Sequence, residues 1–176
     1  MAIPIVAIIG RPNVGKSSLF NRIIGRRHAI VSEVAGTTRD RLMADAWWDD
    51  YHFILLDTGG LEAHPEGVIR QLVQEQAEMA VADADVIILM TDVVDGMTPS
   101  DIEAAELLRS TKKPVVLAVN KVDNDTREFG APEFYGLGMG EPEPISAFHN
   151  YGIHSLMARV ISHMEPDPSG PEEEME

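Results

Sequence analysis

Apolar positions follow two periods along this chain, and the switches between them mark out its elements. Residues 3–9 are an apolar run rich in β-branched side chains and predict a strand. After a glycine-containing loop, Leu19, Phe20, Ile23 and Ile24 recur at helical spacing and predict a helix over 17–24. Residues 42–48 alternate and, with 52–56, predict two strands around the turn residues Asp49 and Asp50. Residues 67–82 lack proline and interior glycine and carry Val68, Leu72, Gln76 and Met79 at helical spacing. Residues 86–90 and 115–119 are short continuous apolar runs, as expected of strands buried on both faces of a parallel sheet. Between them, Thr98-Pro99-Ser100-Asp101 has helix-start chemistry ahead of Ile102, Ala105 and Leu108. The segment 26–41 shows no convincing period, and 130–144, with four glycines and three prolines, predicts loop. Pro144-Ile145 predicts a short strand, and 152–164 a closing helix with Ile153, Leu156, Val160 and Ile161 on one face. This order predicts an α/β fold: a doubly wound, mostly parallel sheet with helices on both faces and ligands outside the carboxyl ends of its strands.

Composition narrows the class. With 176 residues, 44% hydrophobic and 24% charged, the chain is a soluble globular domain rather than a disordered one. Zero cysteines exclude a disulfide framework and every thiolate metal site. No run approaches the roughly 20 apolar residues of a membrane helix, so a cytoplasmic protein without a membrane partner is expected. The net charge of −15 is unevenly placed. Residues 1–41 carry a net +5, residues 42–164 a net −14 and residues 165–176 a net −6. A basic opening on an acidic chain suggests an anionic ligand held there, and the overall charge argues against nonspecific nucleic-acid binding by this piece alone. The division expected is one domain over 1–164, followed by an acidic, proline-rich linker or tail over 165–176 that is expected to be disordered.

Four short constellations carry the chemistry. Gly10-Arg11-Pro12-Asn13-Val14-Gly15-Lys16-Ser17, followed by Ser18, fits the phosphate-loop pattern and sits between a predicted strand and a predicted helix, as that motif requires. Its glycines let backbone N–H groups surround phosphate oxygens at the positive end of a helix; Lys16 adds charge, and the Ser17 hydroxyl can ligate Mg²⁺. The loop alone separates neither ATP from GTP nor a kinase from a hydrolase. Asn120-Lys121-Val122-Asp123 follows a buried strand and lies at the same sheet edge. An aspartate there can accept from the N1–H and the exocyclic amine of guanine, a donor pair that adenine lacks. Asp57-Thr58-Gly59-Gly60 follows another strand, with Asp57 placed toward a magnesium-bound water and the Gly60 N–H toward a γ-phosphate. Thr37-Thr38 lies in the segment without a period, and Thr38 is the residue expected to close over the metal.

In this order the motifs resemble those of the translation-factor-type GTPases, and finer features resemble the first G domain of the Der (EngA) family. Those features are the phosphate loop as quoted, Thr38-Arg-Asp-Arg41, Asp57-Thr-Gly-Gly-Leu61, Asn120-Lys-Val-Asp123, and Glu133-Phe-Tyr-Gly-Leu-Gly-Met-Gly140 ahead of Pro144-Ile-Ser-Ala147. The resemblance covers about residues 3–164 and implies a P-loop NTPase G domain that binds GTP and GDP with Mg²⁺ through Ser17, Thr38 and Asp57. It implies slow GTP hydrolysis in isolation, and a switch acting in assembly of the large ribosomal subunit, with rRNA as a partner of the full-length protein. The family's second G domain and KH-like RNA-binding domain are absent here. The chain is therefore expected to be an excised or truncated piece, monomeric by itself.

The resemblance also implies that Ser146 and Ala147 contact the guanine carbonyl through backbone N–H groups and that Lys121 packs along the base. Leu61 stands where many GTPases carry a water-orienting glutamine. Relatives with an apolar residue there use a phosphate-loop asparagine to hold K⁺, and Asn13 matches that position. A K⁺ held there would stabilise transition-state charge by ~3 kcal/mol. Lys16, Asn13, Thr38 and Gly60 are thus the expected catalytic set, while Glu62 and Glu66 are weaker candidates for orienting water. Three other readings remain: a K⁺-dependent tRNA-modifying GTPase, a P-loop kinase, and a guanine-nucleotide sensor without useful turnover.

Overall fold

A computed structural model describes residues 3–25, 31–34, 41–58 and 66–170. Among these, seven strands form one sheet in the order β2-β3-β4-β1-β5-β6-β7. They are β1 (Ile5–Gly10), β2 (Val31–Val34), β3 (Arg41–Trp48), β4 (Tyr51–Asp57), β5 (Val86–Asp92), β6 (Val115–Asn120) and β7 (Glu143–Pro144). β4, β1, β5, β6 and β7 run parallel, and β2 and β3 pair antiparallel at one edge. The helices are α1 (Lys16–Ile24), α2 (Glu66–Asp83), α3 (Pro99–Arg109), α4 (Asp125–Glu128) and α5 (Ile153–Ile161), with a 3-10 helix over Ala131–Leu137.

Strict alternation along the central strands divides the interior in two. Val6 and Ile8 of β1 and Val86, Ile88 and Met90 of β5 face α1 and α5, meeting Leu19, Phe20, Ile23, Leu156, Met157 and Val160. Ala7, Ile9, Ile87 and Leu89 face the opposite layer, where α2, α3 and the 3-10 helix bring Val73, Ala77, Ala104, Leu108, Phe134 and Leu137. Both faces are therefore covered, which is why these strands read as continuous apolar runs. Each large aliphatic or aromatic side chain so buried contributes about 1.5–3 kcal/mol. The doubly wound, mostly parallel sheet expected from the sequence is the observed one.

Three expectations need correction. The loop expected over 130–144 contains the 3-10 helix, because Ala131, Phe134 and Leu137 are buried against α3 despite the surrounding glycines and prolines. The segment without a period contains β2, which pairs by backbone with β3 from Val31↔Ala44 to Val34↔Arg41; a four-residue edge strand is too short for a period. The apolar stripe assigned to α2 is rotated: Val73, Gln76, Ala77 and Ala80 are buried, whereas Val68 is exposed and Leu72 and Met79 are half-buried. Small alanines let α2 lie close to the sheet, and alanine carries little weight in a hydrophobic-period count.

Trp47 and Trp48 project to opposite faces of β3. Trp48 packs against the α1/α5 core beside His154, whereas Trp47 stacks flat on His52 at 4.4 Å. His52 is also paired with Asp45 and lies 3.7 Å from Asp167. Past α5, the Asp167 N–H donates to the Asp50 carbonyl at 2.7 Å, bringing the chain back to the β3–β4 turn. Hydrogen bonds from Ser169, aided by His52, hold the Asp167 carboxyl below its ordinary range. No helix among the described residues is long and apolar enough to cross a membrane.

Candidate nucleotide-binding site

β1, β4, β5 and β6 end at one edge of the sheet, so topology alone gathers the phosphate loop, Asp57 and Asn120. The loop from Gly10 leads into α1, with Gly15 capping the helix at φ 103° and Asn13 at φ 69°. Asn13, Ser17 and Ser18 are exposed, while Val14 and Lys16 are buried. Lys16 Nζ donates to the Gly10 carbonyl at 2.9 Å and to Gln76 Oε1 at 3.4 Å. Burial pushes the Lys16 ammonium down to about 8, and the negative charge of Asp57 opposes that shift. A bound polyphosphate would act in the same direction as Asp57, favouring the charged form.

The Arg11 side chain turns away toward α3, lying 3.4 Å from both Asp101 and Asp95. Arg11 therefore offers a phosphate its backbone rather than its guanidinium. Asp101 is fixed by a capping box with Thr98, and burial pushes its carboxyl up against the Thr98 and Arg11 contacts that oppose the rise. This arrangement ties the start of α3 to the phosphate loop.

Asn120 joins two of the motifs. Its Nδ2 donates to the Val14 carbonyl at 2.7 Å, and its Oδ1 accepts from the Ala147 N–H at 3.0 Å. The Asn120 amide therefore works as a structural strut between the phosphate loop and the Ser146-Ala147 segment. From the α1 side, Arg22 donates to the Ala147 and Phe148 carbonyls at 2.7 and 2.6 Å. Lys121, at φ 65°, reaches Asp92 Oδ2 at 2.6 Å, and Asp92 Oδ1 accepts from the Val94 N–H. Asp123 receives the Ser146 hydroxyl on Oδ1 at 2.7 Å and Arg127 Nη1 on Oδ2 at 2.8 Å. A carboxylate offers about four acceptor positions, so one remains on each oxygen for a paired donor such as the guanine edge. Asp123, Ser146, His149 and Tyr151 line a cavity of about 210 Å³ beside it.

Asp57 ends β4 opposite Ile8 and is 2% exposed. A hydroxyl at the start of α1 and a carboxylate at the end of β4 are hard oxygen donors of the kind Mg²⁺ takes, so Ser17 and Asp57 suit that ion. Thr38, Gly60, Leu61 and Glu62 lie outside the described residues, and Glu66 is placed only as the first residue of α2. Sequence reasoning missed Asp92, Arg22, Gln76, Arg127 and Asp101. Arg127 was signalled by its i,i+4 spacing from Asp123, and Gln76 by being the polar member of an apolar stripe. Arg22→Ala should weaken guanine-nucleotide affinity about fivefold, since losing the clamp on Ala147 and Phe148 costs about 1 kcal/mol; titration calorimetry with GDP measures it.

A phosphate loop at the first strand, an aspartate at the end of β4 and an Asn-Lys-x-Asp segment at the end of β6 define a P-loop G domain. The chain belongs to the 50S ribosome-binding GTPase family, which it matches over residues 5–121. It is similar to GTPase Der of Chloroflexus aurantiacus, at 48% identity over 99% of this chain and 40% of that protein. GTPase Der of Geobacillus thermodenitrificans is 51% identical over 95% of this chain and 38% of its own length. The chain thus spans about 40% of the curated relatives it matches. Among solved structures, Era in complex with MgGDPNP and a fragment of 16S ribosomal RNA superposes with a TM-score of 0.71 at 29% identity, covering 98% of this chain and 61% of that one. The G domain of the T. maritima FeoB iron transporter gives 0.64 at 26% identity, covering 93% and 100%. The resemblance to the Der family read from the motifs is borne out by these relatives.

Proposed function

We propose that this chain binds GTP and GDP with Mg²⁺, hydrolyses GTP slowly by itself, and serves as the nucleotide-state switch of a longer cytoplasmic protein that acts in assembly of the large ribosomal subunit. The observation that carries this reading is the Asn120 strut, which holds the phosphate loop and the base-side segment in one rigid frame with Asp123 three residues away. Resemblance to GTPase Der and membership of a family described as ribosome-binding support the ribosomal role.

In this reading the loop N–H groups and Lys16 hold the β and γ phosphates, and Asp123 reads the guanine edge. Ser146 and Ala147 approach the guanine carbonyl, and Lys121, tethered by Asp92, lies along the base. Ser17, Thr38 and Asp57 would hold Mg²⁺, which supplies charge neutralisation between the phosphates. The Gly60 N–H and Thr38 would report the γ-phosphate, so contacts made only to that group are lost on hydrolysis. Residues 1–164 form the G domain in this scheme, and 165–176 the linker toward the rest of the protein.

Asn13 stands exposed on the loop, and its amide oxygen is a suitable ligand for K⁺ against the β and γ phosphates. With Leu61 unable to orient water, a monovalent cation is the proposed source of transition-state stabilisation. GTP turnover is expected to be more than tenfold faster in KCl than in NaCl at equal ionic strength, an effect of roughly 1.4 kcal/mol or more. ATP serves as the control and should not be turned over. Equal rates in the two salts would remove Asn13 from catalysis. Tight GDP and GTP binding without turnover in either salt would leave a nucleotide sensor.

A further inference from the structure

Gln76 lies in the middle of α2, 4% exposed, on the face turned toward the sheet. Its side-chain oxygen accepts from two phosphate-loop donors and lies beside the hydroxyl of a third motif residue, Thr58. The Gly10 N–H donates at 3.2 Å, Lys16 Nζ at 3.4 Å, and the Thr58 hydroxyl, which donates to the Ile8 carbonyl at 2.8 Å, lies 3.2 Å away. A buried glutamine in an apolar stripe is costly unless its polar atoms are paired, and here its acceptor is paired with the phosphate loop beside the Asp57-Thr58 segment. An ammonium has three protons. With the Gly10 carbonyl and Gln76 taking two, the third points along the one direction those contacts leave, and Lys16 cannot rotate freely in its buried position.

We infer that Gln76 is a positioning residue: it orients Lys16 and the first turn of the phosphate loop for a polyphosphate, and it makes the seating of α2 a condition of phosphate affinity. This rests on the reading of the site as a nucleotide switch and deepens it. α2 is the helix that begins a few residues after Thr58 and Gly60, so a shift or rotation of α2 moves the Gln76 oxygen away from Lys16 and Gly10 together. Information then runs both ways between α2 and the phosphates without passing through Asp123 or Asn120. Base recognition should therefore be insensitive to Gln76, whereas phosphate recognition should depend on it.

The test is a double-mutant cycle on this chain, titrating GDP and GTP with Mg²⁺ against the unmodified protein, Gln76→Met, Lys16→Met and the pair. Methionine keeps the length and shape of glutamine and removes the acceptor. Gln76→Met is expected to lower affinity for both nucleotides about tenfold, the equivalent of roughly 1.4 kcal/mol. That loss should shrink when Lys16 is already methionine, leaving only the part carried by the Gly10 N–H. The preference for GTP over xanthosine triphosphate should stay unchanged in Gln76→Met. Unchanged affinity in Gln76→Met overturns the inference, and so does a loss of equal size in both backgrounds, which would make Gln76 merely structural. If Gln76→Met melts more than about 10 °C below the parent, Gln76→Asn, one methylene short of Lys16, is read by the same criteria. Failure of the unmodified chain to bind GDP or GTP would overturn the nucleotide reading itself, a result distinct from normal parental binding with an indifferent Gln76.

Discussion

Replacing Asp123 with asparagine should lower GTP affinity on the order of 10⁴-fold and create affinity for xanthosine triphosphate. The two free acceptor positions on the Asp123 carboxylate match two guanine donors, whereas an asparagine presents one acceptor and one donor. Xanthine carries a carbonyl where guanine carries its exocyclic amine, so the new N–H₂ group finds a partner there. The surroundings tolerate the change. Arg127 can only donate, which turns the asparagine oxygen toward it, and the Ser146 hydroxyl, now at 2.7 Å from the carboxylate, can reverse to accept. The fold should therefore survive, and the melting temperature without nucleotide should move little. Competition of GTP and xanthosine triphosphate against a fluorescent GDP analogue measures the switch. Full GTP affinity with nothing gained for the xanthine nucleotide would show that Asp123 does not read the base.

Gly15→Ala should damage stability and binding together. Gly15 sits at φ 103°, where a side chain costs about 1–3 kcal/mol. A Cβ built there overlaps Asn120 Nδ2, the donor end of the strut. Asn120 cannot yield without releasing the Val14 carbonyl, the Ala147 N–H or both, and each buried bond lost costs about 1 kcal/mol. The sum is roughly 3 kcal/mol, a fall of about 10 °C in Tm for a domain of this size. GDP should no longer raise the melting temperature, because the loop and the base-side segment lose their common support. Gly140→Ala is the control: at φ 83° it carries backbone strain, but its added Cβ meets nothing within 4 Å. Calorimetric melting of both variants with and without GDP distinguishes the clash from the strain. Equal losses in the two would show that the strut has no special role.

Both expectations rest on contacts that differ in how far they were legible. The phosphate loop, Asp57 and Asn120 to Asp123 were readable because each places particular atoms within a few consecutive residues directly after an apolar run. Arg22, Asp92 and Gln76 were not. Arg22 meets its partners 125 and 126 residues away, and Gln76 meets Lys16 60 residues away. No local period encodes such a pairing, and a lone glutamine in a helical stripe reads as a tolerated polar residue. The 3-10 helix at Ala131–Leu137 was hidden for a related reason: its glycines and prolines announce loop, while its order comes from three apolar side chains meeting α3. The Asn120 side chain braces the loop; the four-residue motif placed the residue and said nothing of where its amide points.

By itself the sequence determined the alternation of strands and helices, the buried parallel strands and the four motif positions, since hydrophobic period and short-range backbone chemistry are properties of neighbouring residues. It also determined that the phosphate loop, Asp57 and Asn120 share one edge, because a parallel sheet puts all its strand-to-helix turns on the same side. Only the tertiary structure decided which side chains tie the motifs to one another. The Asn120 strut, the Arg11–Asp101 tether, the Lys121–Asp92 pair and the Gln76 acceptor each depend on distances between elements far apart in the chain. Pairing of β5 with β6 sets the Lys121–Asp92 approach, whereas the Gln76 and Arg11 contacts are set by how closely alanine-rich α2 and the capped start of α3 settle on the sheet, and packing, not local propensity, sets both.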